Sequence, residues 1–377
     1  MITISLLFLA CNGKANTETV DSAVNERQVD EGRISSANIQ KVEKLLEKSL
    51  AGGGGTWDGP TTGPPAQGQR LIIFVGSDMT NGGVISVSKG AQEAIETIGW
   101  QMEILDGQGS ANNQVSALNQ AIARKPDGIV IGGWYPNAAK NSLEQAEELG
   151  IPVVAWHAVS KPGPAPEFNL YFNITTDALE VSRVAALYAI SHAASHSKGK
   201  VRAVIFTDSN YQIAIDKADA MRDTIEEFGG KILEYIDTPI AETSSRMPTL
   251  TSRLLQDYNT DFYALAINDN YFTGMKATLK EQGLEGAGPP YNISAGDGDA
   301  PAFARIRKID YQTATVPEPL YMQGWQLVDE LNRAIAKVES SGYIPPVFVI
   351  DAANVGAEDV YDPPIGYRQA YRDIWGK

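Results

Sequence analysis

Side chains able to trade hydrogen bonds with hydroxyl groups recur in this chain where apolar runs end. Ser77, Asp78 and Asn81 follow the run 71–75, and Trp134 with Tyr135 follows 129–131. Trp156 and His157 close the run 153–156, and Asp208 and Tyr211 follow 201–206. Asn268, Asp269 and Tyr271 follow 262–267, and Asp297 with Asp299 follows 292–295. A neutral polyol needs both kinds of partner found here. Its hydroxyls donate and accept, which suits Asp and Asn, and its C–H faces need flat rings such as Trp and Tyr. Each residue alone is as readily an Asx turn or a half-buried aromatic. Their recurrence at one kind of position describes a binding face for a small polar solute.

Other chemistries fit less well. Asp78, Asp269 and Asp297 could supply an acid/base pair for glycoside hydrolysis, but carboxylates that hold hydroxyls have the same signature. His157 could serve as a base, although a hydrogen-bonding contact is the simpler role. His192 and His196 in HAASH have zinc-like helical spacing without the catalytic glutamate, and a solvated last helical turn accounts for them. There is no nucleophile elbow, phosphate loop or strand-linked GxGxxG, and no cofactor or metal is expected. Few Lys or Arg accompany the polar loops, which speaks against an anionic ligand. The carboxylates leave room for a cationic one.

The elements that must carry these residues follow a regular programme. Strands are expected at 71–75, 100–105, 129–131 and 153–156, alternating with helices at 84–98, 113–123 and 138–149. The order repeats with strands at 201–206, 231–235 and 262–267 and helices at 214–228, 249–258 and 273–282. A shift of about 131 residues lays Ser77 on Asp208 and Asp106 on Asp237, with Asp127 near Asp261. Strands at 292–295, 312–316 and 347–350 and a helix at 321–338 complete the set. Strands alternating with helices of this length make right-handed βαβ units on parallel sheets, so the fold class is α/β with two doubly wound lobes. Ligands of such sheets bind at the C-terminal strand ends.

The chain has 377 residues, 43% of them hydrophobic, and a formal charge of -15, which argues against general affinity for nucleic acid or an anionic membrane. Residues 2–10, ITISLLFLA, precede the single cysteine Cys11. This is the pattern of a lipoprotein-type signal, with Cys11 as the lipid attachment point, and a simple cleaved secretory signal is the alternative. The expected anatomy is a signal over 1–11 and a tether over 12–69, with a short amphipathic helix near 35–50 and a Gly/Pro-rich linker.

From about Arg70 to Ala352 the chain resembles type I periplasmic solute-binding proteins of sugar ABC transporters, the ribose- and galactose-binding group. The segments SDMTNGGVISVSKGAQEA, KPDGIVIGG, GIPVVAWHA, AINDNYF and SAGDGDAP carry the resemblance. It implies two lobes joined by three crossovers, divided as 69–172 plus 319–342 and 173–318 plus 343–377. It also implies a sugar or polyol closed between them by hinge motion and delivery to an ABC permease, and with the signal pattern before Cys11 the expectation is an exported, lipid-anchored monomer. Carried over by position, Asn81, Asn268 and Asp297 are ligand contacts, and Glu318 stands where the group has a glutamine. His157-Ala158 replaces the group's Asp-Arg pair, an arginine expected near Ile215 is missing, and Gly83-Val84 replaces two phenylalanines. An extracellular sensing module is the alternative. The effector domain of a DNA-binding repressor would need a basic helix-turn-helix where the apolar start and linker stand.

Overall fold

A computed structural model describes residues 31–50 and 56–377. The apolar start and Cys11 lie outside the described residues.

The first lobe is a six-stranded sheet in the order β2-β1-β3-β4-β6-β5. Its strands are β1 (Leu71–Gly76), β2 (Gln101–Asp106), β3 (Gly128–Gly132), β4 (Val153–Trp156), β5 (Gly163–Ala165) and β6 (Leu170–Ile174), and β5 alone runs antiparallel. Strand β1 reads as an unbroken apolar run because both faces are covered. Ile72 and Phe74 enter one core cluster while Ile73 and Val75 enter another on the opposite face. Helices α1 (Ser36–Leu50), α2 (Gly82–Ile98), α3 (Ala111–Ala123) and α4 (Lys140–Glu148) come from the first half of the chain. Of these, α2, α3 and α4 clothe this sheet.

The second sheet repeats the plan, with α5 (Ala178–His196), β7 (Arg202–Thr207), α6 (Gln212–Glu227), β8 (Lys231–Asp237), α7 (Thr243–Tyr258) and β9 (Tyr263–Ala266). It continues through α8 (Asn270–Glu281), β10 (Tyr291–Ser294), α9 (Ala300–Arg307) and β11 (Ala314–Thr315). After α10 (Leu320–Ile335), which returns to the first lobe against α2, β12 (Ile350–Asp351) adds an antiparallel edge, giving the order β12-β11-β10-β9-β7-β8. The expected two-lobed α/β fold is the observed one.

The internal repeat extends to individual hydrogen bonds. Gly107 donates to the Gly76 carbonyl, and Thr238, 131 residues on, donates to that of Thr207, both at 2.8 Å. Asp106 accepts from the Met79 N–H and Asp237 from the Ser209 N–H, so each pins the loop after its lobe's first strand. At the other sheet edge Arg70 pairs with Asp127 and Arg202 with Asp261.

Two parts of the sequence reading change. Residues 12–69 were expected to be a tether, yet α1 packs Val42 and Leu46 into the core of the second lobe. Residues 56–67 lie along α10 of the first lobe, where Arg333 donates to the Thr62 carbonyl and Asn332 to those of Pro64 and Pro65. The C-terminal segment, expected in the second lobe, ends on the first: α11 (Tyr367–Trp375) packs on α2 and α10 and stacks Trp375 on Trp325. Two further passes therefore join the lobes, beyond the three crossovers expected. Helix α7 also begins at Thr243, ahead of the expected 249, because it runs through Pro248, a residue that ordinarily marks a break.

Candidate functional site

A cavity of about 740 Å³ lies between the lobes at the C-terminal strand ends. The first lobe contributes Ser77, Asp78 and Asn81 from the loop after β1, with Trp156 and His157 from the end of β4. The second contributes Tyr211, Lys217, Asn268 and Asp297. The C-terminal ends of parallel strands, where backbone turns leave side chains free, thus converge from both sides.

Trp156 and His157 form one platform. Their rings stack with centroids 4.1 Å apart and planes 11° from parallel. His157 holds a left-handed backbone (φ 49), pinned by its N–H on the Ile174 carbonyl. The Trp156 indole donates to Gln323 Oε1 at 2.8 Å, and Gln323 in turn donates to Glu318. Glu318 also accepts from the hydroxyl and N–H of Thr176 and lies 3.2 Å from His157 Nε2. His157 Nε2 has no well-aligned hydrogen-bond partner among the described residues. Burial opposes ionisation of Glu318, but His157, Lys217 and the Thr176 hydroxyl outweigh it and hold the carboxyl down at about 2.

Facing this platform, Asp297 accepts from Asn268 Nδ2 at 2.8 Å. Burial pushes its carboxyl up against the pull of His157 and Lys217. Asp299 caps α9 through the Ala302 N–H, and burial together with Asp269 pushes it up to about 7. Both carboxylates press against the start of α2. A Cβ placed on Gly83 would stand 2.3 Å from Asp297 Oδ2, and one on Gly82 2.5 Å from Asp299 Oδ2. The Gly82-Gly83 pair is where carboxylates of one lobe meet the backbone of the other. Their charge there meets the positive end of the α2 dipole.

Several candidates have other duties. Asn81 lines the cavity, but its Oδ1 caps α2 by accepting from Gly83 and Val84, which leaves its amide nitrogen for a ligand. Asp78 reaches the wall as an Asx turn, accepting from the N–H and hydroxyl of Thr80. Asp208 is buried, accepts from Asn210 and Ile240, and is raised by that burial. Asp269 holds the Gly-Asp-Gly-Asp turn from beneath, accepting from the Gly298 N–H and from Gln312. Tyr271 donates to the Thr238 carbonyl in the core, and Trp134 donates to that of Val75. Asp208, Asp269, Tyr271, Trp134 and Glu318 lie off the cavity wall. Each sits beside a segment that must be held still, and its hydrogen-bonding capacity is spent on backbone or, for Glu318 and Asp269, also on neighbouring side chains.

Lys217 is the residue the sequence reading missed. It is 4% exposed, lines the cavity, and has no hydrogen bond or ion pair among the described residues. Asp297 and Glu318 both feel its charge. The signal was present: Lys217 falls within the stripe Ala214, Ala218 and Met221 on the buried face of α6, where a lysine needs a reason. His192 was expected at a solvated helix end. It is instead packed among Tyr188, Tyr263 and Tyr291, and its Nδ1 lies 3.0 Å from the Tyr263 hydroxyl.

Residues 72–339 match the periplasmic binding protein domain. The chain belongs to the periplasmic binding protein family. Solved structures with the same fold include the binding component of an arabinose ABC transporter from Shewanella sp. ANA-3, bound to α- and β-L-arabinofuranose. It has a TM-score of 0.65 and 18% identity, covering 81% of this chain and 95% of that one. An ABC transporter solute-binding protein from Agrobacterium vitis with bound D-fucose has a TM-score of 0.65 and 21% identity, covering 76% and 97%. One from Actinobacillus succinogenes with bound D-allose has a TM-score of 0.65 and 19% identity, covering 76% and 98%. No curated protein matches the chain. At these identities the solved structures establish the fold.

Proposed function

We propose that this periplasmic binding protein captures a neutral sugar or polyol between its lobes and delivers it to an ABC importer. The observation that carries the reading is the composition of the cavity wall. The stacked Trp156–His157 platform faces the Asp297–Asn268 pair, and Lys217 enters beside them with its ammonium unpaired. The platform offers a C–H face a flat apolar partner, the carboxylate accepts hydroxyl protons, and the ammonium donates to hydroxyl or ring oxygens. Sugars bound in the arabinofuranose, D-fucose and D-allose complexes of related fold support the ligand class. Closure about the hinge would favour whichever lobe arrangement lets both sides touch the ligand.

The charge pattern selects among sugars. Asp78, Asp269 and Glu318 suggested a cationic ligand, but all three are committed to backbone or hinge contacts. Lys217 lies in the same cavity as the Asp297 and Asp299 carboxyls, which burial raises, so the wall carries no excess of either sign to clamp an ion. Uncharged ligands remain. The reading includes export, a lipid anchor at Cys11 and a monomeric receptor. Globomycin-sensitive processing and sedimentation velocity would test the last two.

The deciding experiment is a calorimetric and thermal-shift screen of pentoses, hexoses, D-glucosamine and D-glucuronic acid. A bound ligand raises the melting temperature by mass action. Micromolar binding of one or more neutral sugars is expected. Binding of the amino sugar or the uronic acid alone would overturn the neutral-sugar reading.

A further inference from the structure

The cavity is longer than one sugar ring. From the inner end at Trp156, His157 and Lys217 it continues outward between α2 of the first lobe and α8 of the second, with Thr243, Ser244 and Pro248 of α7 beside α8. On α2, Gly82, Ile85, Ser86 and Lys89 line it along one face with Val84 beside them, and on α8 Asn270, Thr273, Gly274 and Ala277 line it. Both sets have the spacing i, i+3, i+4, i+7, a single face held over two turns. At 1.5 Å per residue each face runs about 10 Å. A sugar ring, built from bonds of about 1.5 Å, spans roughly half of that.

The two faces suit a second sugar unit. They combine a small apolar surface from Ile85 and Ala277 with hydroxyls on Ser86 and Thr273. The Thr273 hydroxyl accepts from Arg305 Nη1 at 2.7 Å, which turns its own proton outward toward another acceptor. Lys89 stands at the outer end, exposed and without a hydrogen bond or ion pair among the described residues. On α8 it is Ala277 that keeps the groove open, presenting only a methyl group, whereas Gly274 is small because Met247 and the Thr243 carbonyl of α7 pack against it. By contrast, the inner end is walled by large residues and holds the buried, unpaired Lys217. One ring would be enclosed and the next would lie in a groove open to solvent.

We infer that the ligand is a disaccharide or a glycoside, with its first ring at Trp156, His157 and Lys217 and its second unit in the α2–α8 groove. This rests on the proposed sugar-binding function and names the size of the ligand within it.

The test is titration calorimetry on matched pairs: D-glucose with cellobiose, D-galactose with β-1,4-galactobiose, L-arabinose with α-1,5-arabinobiose, and D-xylose with xylobiose. In at least one pair the disaccharide should bind about ten-fold tighter or more. Ala277→Trp, which fills the groove from a helix-compatible position, should bring that ratio close to one. A measurement on the unaltered chain guards against misfolding of the variant. The Ile85 δ-methyl resonance should shift with the disaccharide and stay in place with the monosaccharide. Monosaccharides binding as tightly as their dimers in every pair would overturn this inference alone, and the groove would then be only the mouth of the cleft. Failure of every sugar of either size would overturn the sugar-binding function, and this inference with it.

Discussion

Glu318, in the second crossover, accepts a hydrogen bond from the hydroxyl of Thr176, in the first, at 2.5 Å. The same carboxylate accepts from Gln323, which holds the Trp156 indole, and lies against His157. Two residues of the cavity wall are thus fastened to two hinge segments through one buried charge. Removing one partner from a buried hydrogen-bonded ionic group costs roughly 3–5 kcal/mol. Glu318→Ala should therefore lower the melting temperature strongly, and Glu318→Gln, which keeps the shape, should lower it less. Both should weaken sugar binding, since Trp156 and His157 lose their support. Sugar affinity unchanged in Glu318→Ala would show that the platform holds without the hinge carboxylate.

Gly83 should be intolerant of even a methyl group. Its place in the first turn of α2 would ordinarily make alanine favourable, by about 1 kcal/mol. Here the added carbon meets Asp297 Oδ2 at 2.3 Å, Cγ at 2.7 Å and Cβ at 3.0 Å. The side chain cannot simply swing away, because Asn268 holds it and the whole Asp297 side chain is crowded. Gly83→Ala is expected to leave each lobe folded but hold the two apart. Small-angle scattering should report a larger radius of gyration, and sugar affinity should fall about ten-fold, the equivalent of about 1.4 kcal/mol. A compact variant with native affinity would mean that the lobes close without this contact.

Lys217 offers a sharper test of ligand chemistry. Lys217→Met keeps the length of the side chain and its packing in α6 while deleting the ammonium. Loss of a charge-assisted hydrogen bond to a ligand should cost about 1.5–3 kcal/mol of binding energy, read by calorimetry. In the absence of sugar its melting temperature should stay close to wild type, because removal of a buried ammonium is offset by loss of its pull on Glu318 and Asp297. Lower stability with unchanged affinity would make Lys217 a structural residue balancing Asp297 and Glu318.

The backbone pattern was legible in the sequence, down to the equivalence of Asp106 and Asp237, because burial on both faces writes continuous apolar runs and every loop needs its anchor. Asn81 and Asp297 were likewise found at the cavity. What could not be read was which polar side chain faces a ligand and which faces a neighbouring backbone. Asp78, Asp208 and Asp269 have the same chemistry as Asp297, and only the tertiary fold decides whose N–H groups are within reach. The placement of α11 was hidden for a different reason. Tyr367, Tyr371 and Trp375 form an amphipathic stripe that looks like a tail until the Trp325 face of α10 is there to receive it.

Asp299 gives the protein a pH dependence with a definite sign. Its carboxyl is raised to about 7 in the folded chain, from an ordinary value of 3.8. A raised carboxyl contributes stability that is fully present below the ordinary value and lost as pH climbs through the folded one. Between about pH 4 and pH 7, wild type should therefore lose ground against Asp299→Asn, by an amount on the order of 3 kcal/mol. Asparagine keeps the cap on α9, so the comparison isolates the charge. The check is the difference in melting temperature at each pH. A difference that stays flat from pH 4 to pH 7 would mean the carboxylate is ionised throughout.

The extra passes between the lobes lead to a prediction about the hinge itself. Trp57 packs on Tyr343 of the third crossover at 5.0 Å and on Tyr371 of α11 at 5.3 Å. Next to it Asp58 accepts from the Tyr343 hydroxyl, and Val349, past that crossover in the core of the second lobe, donates to the Ser49 carbonyl at the end of α1. The N-terminal segment therefore grips the moving part of the hinge from both lobes, and opening must carry it along. Truncating a large, half-buried aromatic side chain of this kind should cost roughly 2 kcal/mol. Trp57→Ala should lower the melting temperature by several degrees. If the grip limits opening, the sugar-free variant should also scatter as a more extended particle, while the sugar-bound variant matches wild type. Equal scattering curves for the two sugar-free proteins, with the melting temperature lowered, would assign this segment to stability alone.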